Sequence, residues 1–306
     1  MNKSYRFRGC CYALIALLLT TISSLAVAGE KNYTITARDG VKIAVQESGN
    51  LTGPAVIFIH GLLGSHLNWE KQLSSPELQD YRMITYDLRG HGKSGKPDDA
   101  EAYRDGRRYA NDLATVIKAT GAHRPLLVGW SLGGVVMSNY LAAYGDDMIS
   151  GVMYVDGVIE LNASLITPHP EVYAGLASDD FRTHLNAERT FLSLCFHIQP
   201  DAATRELLLS SASMASWVMT RTTPSMTVDV AEGLPKARVP VLMVYGGEDQ
   251  LVKVQPSLVR ARELNDHIQT KIYANSGHSP FLEEAPRFNH DLSAFIKATA
   301  MSGGVK

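Results

Sequence analysis

The chain has 306 residues, of which 45% are hydrophobic, and its formal net charge at pH 7 is -2. A chain of this length and composition can bury one large core, or a core with an inserted domain, so disordered and collagen-like proteins are excluded. Its lysines and arginines are scattered and form no basic face that could neutralise a phosphate backbone. We therefore expect no nucleic-acid partner.

The N-terminus has the three-part pattern of an export signal. A basic leader precedes an apolar stretch at residues 12–22, and small residues at 26–28 form a cleavage site after Ala28. We predict that residues 1–28 are a signal peptide and that the mature protein is exported, to the periplasm or the extracellular space. The alternative is an uncleaved membrane anchor, because the apolar stretch approaches the length that spans a bilayer. Only in that case do we expect contact with a membrane.

One cysteine belongs to the predicted mature chain. Cys10 and Cys11 lie within the predicted leader, so Cys195 has no partner for an internal disulfide. Leu194 and Phe196 flank it, and an apolar setting of this kind is typical of a buried, unreactive thiol. We interpret Cys195 as structural.

Short apolar runs alternate with helix-length segments over most of the chain. Residues 33–37 and 41–46 alternate in polarity around Asp39-Gly40, which predicts an antiparallel hairpin. Further strands are predicted at 55–59, 83–86, 126–128, 152–155, 241–245 and 270–273, with helices such as 109–120 and 132–144 between them. The pattern predicts an α/β protein with a mostly parallel sheet and helices on both faces.

Residues 157–236 interrupt this alternation. They contain no comparable strand, and helical patterns occur at about 179–196, 201–219 and 225–231. We predict an inserted helical cap at 157–236, between core segments 29–156 and 237–306. Its aromatic residues and methionines either line an apolar pocket or hold the cap together: Phe181, Phe191, Phe196, Met214, Trp217, Met219 and Met226.

The turn after the predicted strand at 126–128 has the features of a nucleophile turn. Gly129-Trp130-Ser131-Leu132-Gly133 follows a strand and opens a helix. Such a sharp turn forces the serine backbone into a strained conformation, and flanking glycines remove side chains that would collide. We predict Ser131 as the nucleophile, with its hydroxyl at the end of the sheet.

A serine hydroxyl needs a base, and the base needs an acceptor that holds its tautomer. His278 follows the last predicted strand in a loop rich in glycine and proline, so it lies at the same edge of the sheet as Ser131. Asp249 follows the strand at 241–245 and keeps the chain order Ser, Asp, His. Asp156, which ends the strand at 152–155, competes with it, and Glu248 is a third candidate.

An acyl-transfer site also needs donors for an oxyanion. The backbone N–H of Leu132, directly after the nucleophile, supplies one, and the N–H of Leu62 in the loop after the strand at 55–59 is the candidate for the second. His60 opens that loop. We interpret it as organising the loop and not as the base.

Together these motifs resemble the α/β-hydrolase superfamily in order and spacing, over nearly the whole mature chain. They are His60-Gly61, Asp87-Leu88-Arg89-Gly90-His91-Gly92-Lys93-Ser94, the Ser131 turn, Gly246-Gly247-Glu248-Asp249, and Ser276-Gly277-His278-Ser279-Pro280 with Glu283 or Glu284 beyond. The chain looks most like the capped branch of carboxylesterases, lactonases, perhydrolases and carbon–carbon bond hydrolases. The resemblance implies a triad of Ser131, Asp249 and His278 and a structural role for 87–94. Serine at position 131 departs from the dehalogenase and epoxide hydrolase branches, which use a carboxylate nucleophile.

We expect a small-molecule substrate and neither cofactor nor metal. With Trp130, Phe181 and Trp217 assigned to the substrate pocket, the sequence favours a small to medium, largely apolar ester or lactone. Carbon–carbon bond cleavage or perhydrolysis by the same triad is the alternative. A substrate carboxylate could then be bound by the cap arginines, which are otherwise solvated charges: Arg182, Arg189, Arg205 and Arg221. A non-catalytic binding protein on a hydrolase scaffold is a remote alternative.

Overall fold

The computed structural model describes residues 30–302. The predicted signal peptide and its cleavage site lie outside the described residues. Within residues 30–302, no helix combines the length and the apolar character that crossing a bilayer requires.

The core is an eight-stranded sheet with the strand order β1-β2-β4-β3-β5-β6-β7-β8. Strand β2 pairs antiparallel with β1 and β4, and every other neighbouring pair is parallel. The strands are β1 (Lys31–Thr36), β2 (Lys42–Gly49), β3 (Ala55–Ile59), β4 (Arg82–Tyr86), β5 (Leu126–Trp130), β6 (Gly151–Val155), β7 (Val241–Gly246) and β8 (Gln269–Tyr273). The predicted fold class is confirmed, including the N-terminal hairpin.

Helices cover both faces of the sheet, and every residue of β3, β5, β6 and β7 is accordingly buried. Helices α3 and α9 pack against α4, while α1 and α11 pack against α12. The helices are α1 (Glu70–Leu73), α2 (Glu101–Arg104), α3 (Gly106–Thr120), α4 (Leu132–Tyr144), α5 (Pro170–Leu176), α6 (Phe181–Leu194), α7 (Ala202–Ala212), α8 (Trp217–Thr222), α9 (Val230–Gly233), α10 (Val254–Leu264), α11 (Pro280–Glu283) and α12 (Ala285–Ser302).

The interval between β6 and β7 is helical, but its helices differ from the predicted ones. The predicted helix at 201–219 is two helices, because the Ser216 side chain accepts a hydrogen bond from Met219 N and starts α8. The predicted helix at 225–231 is reduced to α9, since Pro224 forms a short 3-10 turn before it. Helix α5 was not predicted.

Contacts near both ends tie this interval to the core. An isolated antiparallel bridge joins Ile166 to Val252. At the other end of the interval, α9 packs on α4 so closely that a Cβ at Gly233 would lie 2.6 Å from the Ser138 carbonyl oxygen. The last turns of the predicted cap therefore belong structurally to the core face.

The segment 87–94 is a buried structural turn beside the sheet. Both carboxylate oxygens of Asp87 accept hydrogen bonds, one from the backbone and ring of His66 and the other from Lys93 N. Arg89 forms a buried bidentate ion pair with Asp112. This arrangement agrees with the structural role that the resemblance implies.

Candidate active site

Ser131 lies in a strained turn at the carboxyl end of β5. Its backbone has φ 52° and ψ -113°, a conformation that side-chain-bearing residues rarely adopt. The flanking positions must be glycine because neighbouring backbone atoms leave no room for a side chain. A Cβ at Gly129 would lie 2.6 Å from Gly133 O, and a Cβ at Gly133 would lie 2.5 Å from Ile59 O. The turn places Ser131 at the wall of the cavity described below.

His278 and Asp249 form a buried hydrogen bond at the same edge of the sheet. Their side chains are 1% and 0% exposed, and His278 Nδ1 lies 2.8 Å from Asp249 Oδ2. Because a carboxylate only accepts, Nδ1 carries the proton and Nε2 has its lone pair free. The other carboxylate oxygen, Oδ1, accepts from Leu251 N at 2.8 Å and Val252 N at 3.0 Å. These bonds fix the orientation of the carboxylate.

His278 and Ser131 lie at the same cavity, and the remaining ring nitrogen of His278 is Nε2. Nε2 is buried and has no hydrogen-bond partner within the described residues. Ser131 and His278 both contribute to the cavity wall. The structure thus joins His278 to Asp249 by a hydrogen bond and places Ser131 in the wall of the same cavity, with no hydrogen bond between Ser131 and His278 among the described residues.

The two competing carboxylates are placed differently. Glu248 is exposed, so it does not reach the histidine. Asp156 is fully buried beside the pair, but its Oδ1 accepts from Gly246 N at 2.8 Å and its Oδ2 has no hydrogen-bond partner among the described residues. Asp249 is the carboxylate that bonds the His278 ring.

The two residues whose N–H groups the sequence assigns to the oxyanion line the same cavity as Ser131. Neither Leu62 N nor Leu132 N donates a hydrogen bond within the described chain, and both residues line the cavity. The loop that carries Leu62 is held by His60. Leu88 N donates to His60 Nε2 at 2.9 Å, so Nδ1 carries the proton and donates to Gly61 O at 2.7 Å.

Burial lowers the pKa of His60 to about 4, so this ring is neutral at neutral pH. It is 0% exposed and does not line the cavity. The geometry agrees with a loop-organising role for His60 and offers no route for it to act as a base.

The cavity above Ser131 has a volume of about 380 Å³. No aspartate, glutamate, lysine or arginine of the described chain lines it. Its apolar wall comes from the core loops and from the interval after β6: Leu62, Leu132, Val158, Leu161, Ile166, Tyr173, Phe191, Leu251 and Val252. This wall is suited to an uncharged, apolar ligand.

The three residues assigned to the pocket from the sequence do not line this cavity. Trp130 is 3% exposed, and its Nε1 donates to His278 O at 2.7 Å. Trp130 therefore holds the backbone of the histidine loop. Phe181 is 65% exposed and stacks on Trp217, which in turn stacks on His184. Phe181 begins α6 and faces solvent, and Trp217 begins α8 and is partly buried against His184.

Of the cap residues that the sequence singled out, Phe191 alone lines the cavity within the described chain. Phe196, Met219 and Met226 are buried packing residues, and Met214 is exposed. Most of the actual wall comes from residues 158–173, directly after β6. The sequence could have identified these residues as cavity wall, because they follow the carboxyl end of a parallel strand, where ligands bind in α/β proteins.

The other cap candidates have structural or solvent-facing positions. Cys195 is buried, and burial raises the pKa of its thiol well above the usual range. All four cap arginines are exposed, and none lines the cavity: Arg182, Arg189, Arg205 and Arg221. They are solvated charges.

Among the described residues, one group of side chains has the donor types and spacing of a metal site. Ligand atoms of Asp156, Asp249 and His278 lie within 4.8 Å of one another. However, Asp249 already accepts from the His278 ring and from two backbone N–H groups, so about one of its four acceptor sites remains. The cluster is better suited to holding protons than to holding a cation.

Similarity to known proteins agrees with the fold. Residues 54–285 match the family described as alpha/beta hydrolase fold, and the chain belongs to this family. A crystal structure assigned as an aryl esterase from Burkholderia cenocepacia is 60% identical, with a TM-score of 0.88 over 89% of this chain and 100% of that one.

More distant relatives share the same architecture. The crystal structure of the esterase RhEst1 from Rhodococcus sp. is 28% identical, with a TM-score of 0.80 over 88% of this chain and 99% of that one. A bifunctional esterase/perhydrolase from Acinetobacter calcoaceticus is 26% identical over 86% of this chain and 99% of its own length.

Proposed function

We propose that this protein is a serine hydrolase that cleaves small to medium, uncharged and largely apolar carboxylic esters or lactones through an acyl-enzyme. One observation carries the proposal. The His278 ring is hydrogen-bonded to Asp249 through Nδ1, its Nε2 has no hydrogen-bond partner among the described residues, and His278 and Ser131 line the same apolar cavity.

In the first step, His278 Nε2 takes the proton of Ser131 as the Oγ attacks the acyl carbonyl. The carbonyl π electrons move to the oxygen, and the N–H groups of Leu62 and Leu132 stabilise the oxyanion. Asp249 stabilises the imidazolium that forms. When the tetrahedral intermediate collapses, His278 gives its proton to the leaving alcohol and Ser131 retains the acyl group.

In the second step, water replaces the alcohol. His278 takes a proton from water, the hydroxide attacks the acyl carbonyl, and the oxyanion returns to the same two N–H groups. Collapse breaks the bond to Ser131, which recovers its proton from His278. The carboxylic acid is released and the free enzyme is restored.

The cavity wall supports the substrate class. Wall residues without a formal carboxylate, ammonium or guanidinium group favour an uncharged ligand, and apolar surface favours alkyl or aryl groups. The exposed positions of the cap arginines disfavour binding of a substrate carboxylate, and thus the carbon–carbon hydrolase alternative. The relatives that are esterases support ester cleavage.

Perhydrolysis is a second candidate, because a relative is named as both an esterase and a perhydrolase. It needs no further residue. Hydrogen peroxide would take the place of water as the acceptor of the acyl group, and the products would be a peracid and regenerated Ser131.

The proposal is tested with a series of aryl esters of increasing acyl length, assayed with the purified protein and with Ser131→Ala. We expect hydrolysis of short and medium acyl chains, and loss of at least about 10⁴-fold in kcat in the variant. Including hydrogen peroxide as acceptor detects peracid. Equal turnover by the folded variant, or no hydrolysis of any ester by the wild type, would overturn the proposal.

Export is a separate proposal that the N-terminal pattern alone supports. We propose that residues 1–28 direct the chain out of the cytoplasm and are removed after Ala28.

A further inference from the structure

Asp156 stands in an unusual position at the end of β6, next to the Ser131 turn. Its φ is 43°, which is uncommon for a residue other than glycine, and it is 0% exposed. Its N–H donates to Val244 O at 2.8 Å, and its Oδ1 accepts from Gly246 N at 2.8 Å. The side chain is therefore fixed between β6 and β7, and the proposed mechanism does not use it.

The unpartnered second oxygen of Asp156, Oδ2, indicates that Asp156 and Asp249 share a proton. Atoms of Asp156, Asp249 and His278 lie within 4.8 Å of one another, and Oδ2 of Asp156 has no donor among the described residues. Two buried carboxyl groups this close cannot both be charged without a large cost. The Asp249 carboxylate accepts three hydrogen bonds, so Asp249 is the member suited to carry the charge.

We propose that Asp156 is a positioning residue whose carboxyl group is protonated at neutral pH and donates its proton to Asp249, holding that carboxylate against the His278 ring. The proposal deepens the proposed serine hydrolase function and rests on it. A neutral Asp156 satisfies its own Oδ2 and adds no second negative charge beside His278.

The surroundings of the pair support this protonation state. Burial, followed by the negative charge of Asp249, raises the pKa of Asp156 well above its ordinary value, and the Gly246 N–H opposes this effect. None of the charges that act most strongly on Asp156 within the described chain belongs to a lysine or arginine. The titratable groups around the two carboxyls are His278, Glu283, Tyr245, Cys195 and Tyr173.

Asp156→Asn tests whether Asp156 is protonated, because an amide resembles a protonated carboxyl group in shape and, like it, donates a hydrogen bond. Infrared spectra at neutral pH should show the carbonyl band of a protonated carboxylic acid in the wild type and lose it in Asp156→Asn. A spectrum in which the two proteins have the same band, or both lack it, would overturn the proposal. This readout needs no substrate, so it decides on the proton even if no ester is hydrolysed.

Thermal unfolding gives a second readout independent of activity. A carboxyl whose pKa is raised by folding contributes stability below its unfolded pKa, about 3.9, and that stability is lost as the pH rises towards the folded value. Because asparagine does not ionise, the Asp156→Asn variant does not lose this stability as the pH rises. The Tm of Asp156→Asn relative to wild type should therefore increase as the pH rises above about 4. A difference that is constant with pH, or that decreases, would contradict a proton on Asp156.

Asp146→Asn is the matched control. Asp146 is 4% exposed, and although burial acts to raise its pKa, N–H groups of Arg238 and Val239 and the Arg238 side chain hold that pKa below the ordinary value. Folding therefore shifts the pKa of Asp146 in the opposite direction to that of Asp156. Its asparagine variant should lose stability relative to wild type as the pH rises through about 4.

The positioning role itself is tested by the pH profile of kcat/KM. Asp156→Ala should lower kcat by at least about tenfold with little change in KM, and Asp156→Asn should recover most of that loss. The acidic limb of the profile should be the same in Asp156→Asn as in wild type. A limb displaced by about one unit or more to lower pH would show that a charge had been removed beside His278, and Asp156 would then be ionised. Wild-type kcat in Asp156→Ala would exclude a positioning role.

Discussion

At the scale of single residues, the site depends on which atom carries each proton. Asp249 has three donors, two from the backbone and one from the His278 ring, so its orientation is fixed before any substrate binds. Burial keeps the His60 ring neutral by lowering its pKa, and its two hydrogen bonds fix the tautomer. Two histidines at the same edge of the sheet thus have different roles because their partners differ.

Asp249→Asn isolates the charge of Asp249 from its shape. The amide fills the same space but cannot stabilise the imidazolium, and it favours the wrong histidine tautomer. In a well-studied serine protease, the corresponding change lowers turnover about 10⁴-fold, equivalent to roughly 5 kcal/mol. We expect a loss of several orders of magnitude in kcat for ester hydrolysis.

Glu248→Gln is the matched control for this measurement, since Glu248 is adjacent and exposed. It should keep the wild-type kcat. If Asp249→Asn keeps most of its activity while Asp156→Asn loses several orders of magnitude, Asp156 is the acid of the triad and Asp249 is not.

At the scale of elements, the histidine loop is held from three directions. Trp130 Nε1 bonds the His278 carbonyl from β5, and the Ser276 hydroxyl donates to Glu284. Glu283 accepts from Gly277 N with one oxygen and from His197 N and Ile198 N with the other. One carboxylate thus links the loop of His278 to the end of the cap segment that contains Phe191.

Glu283→Gln should weaken this link. An amide has a single acceptor oxygen, so it cannot serve both the loop and the cap, and a hydrogen bond to a charged group contributes about 1.5–3 kcal/mol. We expect the free energy of unfolding to fall by about that amount, with a lower kcat. Chemical denaturation measures the free energy of unfolding of Glu283→Gln and of a surface control, Glu263→Gln.

Glu263 is exposed and pairs with Arg260 on the surface of α10, so its variant should change stability by no more than about 0.5 kcal/mol. Equal stabilities of Glu283→Gln and Glu263→Gln would show that Glu283 does not couple the loop to the cap.

The elements of the core follow closely from the sequence, whereas those of the cap do not. Buried strands such as Val241–Gly246 are continuous apolar runs between turn residues, so their pattern is unambiguous. In the cap, Phe181 and Phe191 both fit an amphipathic helix, and only packing decides that one faces solvent and the other faces the cavity. Helix propensity also could not show that Ser216 divides one helical pattern into two.

At the scale of the whole molecule, the site was predictable because the sheet topology brings the carboxyl ends of β3, β5, β6, β7 and β8 to one edge. Motifs more than a hundred residues apart, such as Ser131 and His278, meet there. The cavity wall was less predictable, since it depends on how residues 158–173 lie across that edge. The sequence motifs therefore predict the chemistry of the site better than its specificity.

The N-terminal pattern predicts that the mature protein differs in mass from the translated chain. Expression of the full sequence in an exporting host should yield a soluble product that begins at Gly29, because the predicted cleavage site follows Ala28. Intact-mass analysis of the exported fraction measures this directly. A variant that begins at Gly29 serves as the control and should stay in the cytoplasm. The full leader found in a membrane fraction would establish an anchor instead.

The central claim is that Ser131 attacks the acyl carbonyl, and covalent labelling tests it most directly. An activated serine attacks the phosphorus of an aryl phosphonate ester that carries a short alkyl group, the P–O bond to the aryloxide breaks, and the phosphonylated serine resembles the tetrahedral intermediate. After incubation, peptide mass analysis should show one phosphonyl group per chain, on the peptide that contains Ser131, and a competing ester substrate should slow its appearance. Ser131→Ala should stay unlabelled. A label on another residue, or an unlabelled protein that still hydrolyses esters, would contradict the account.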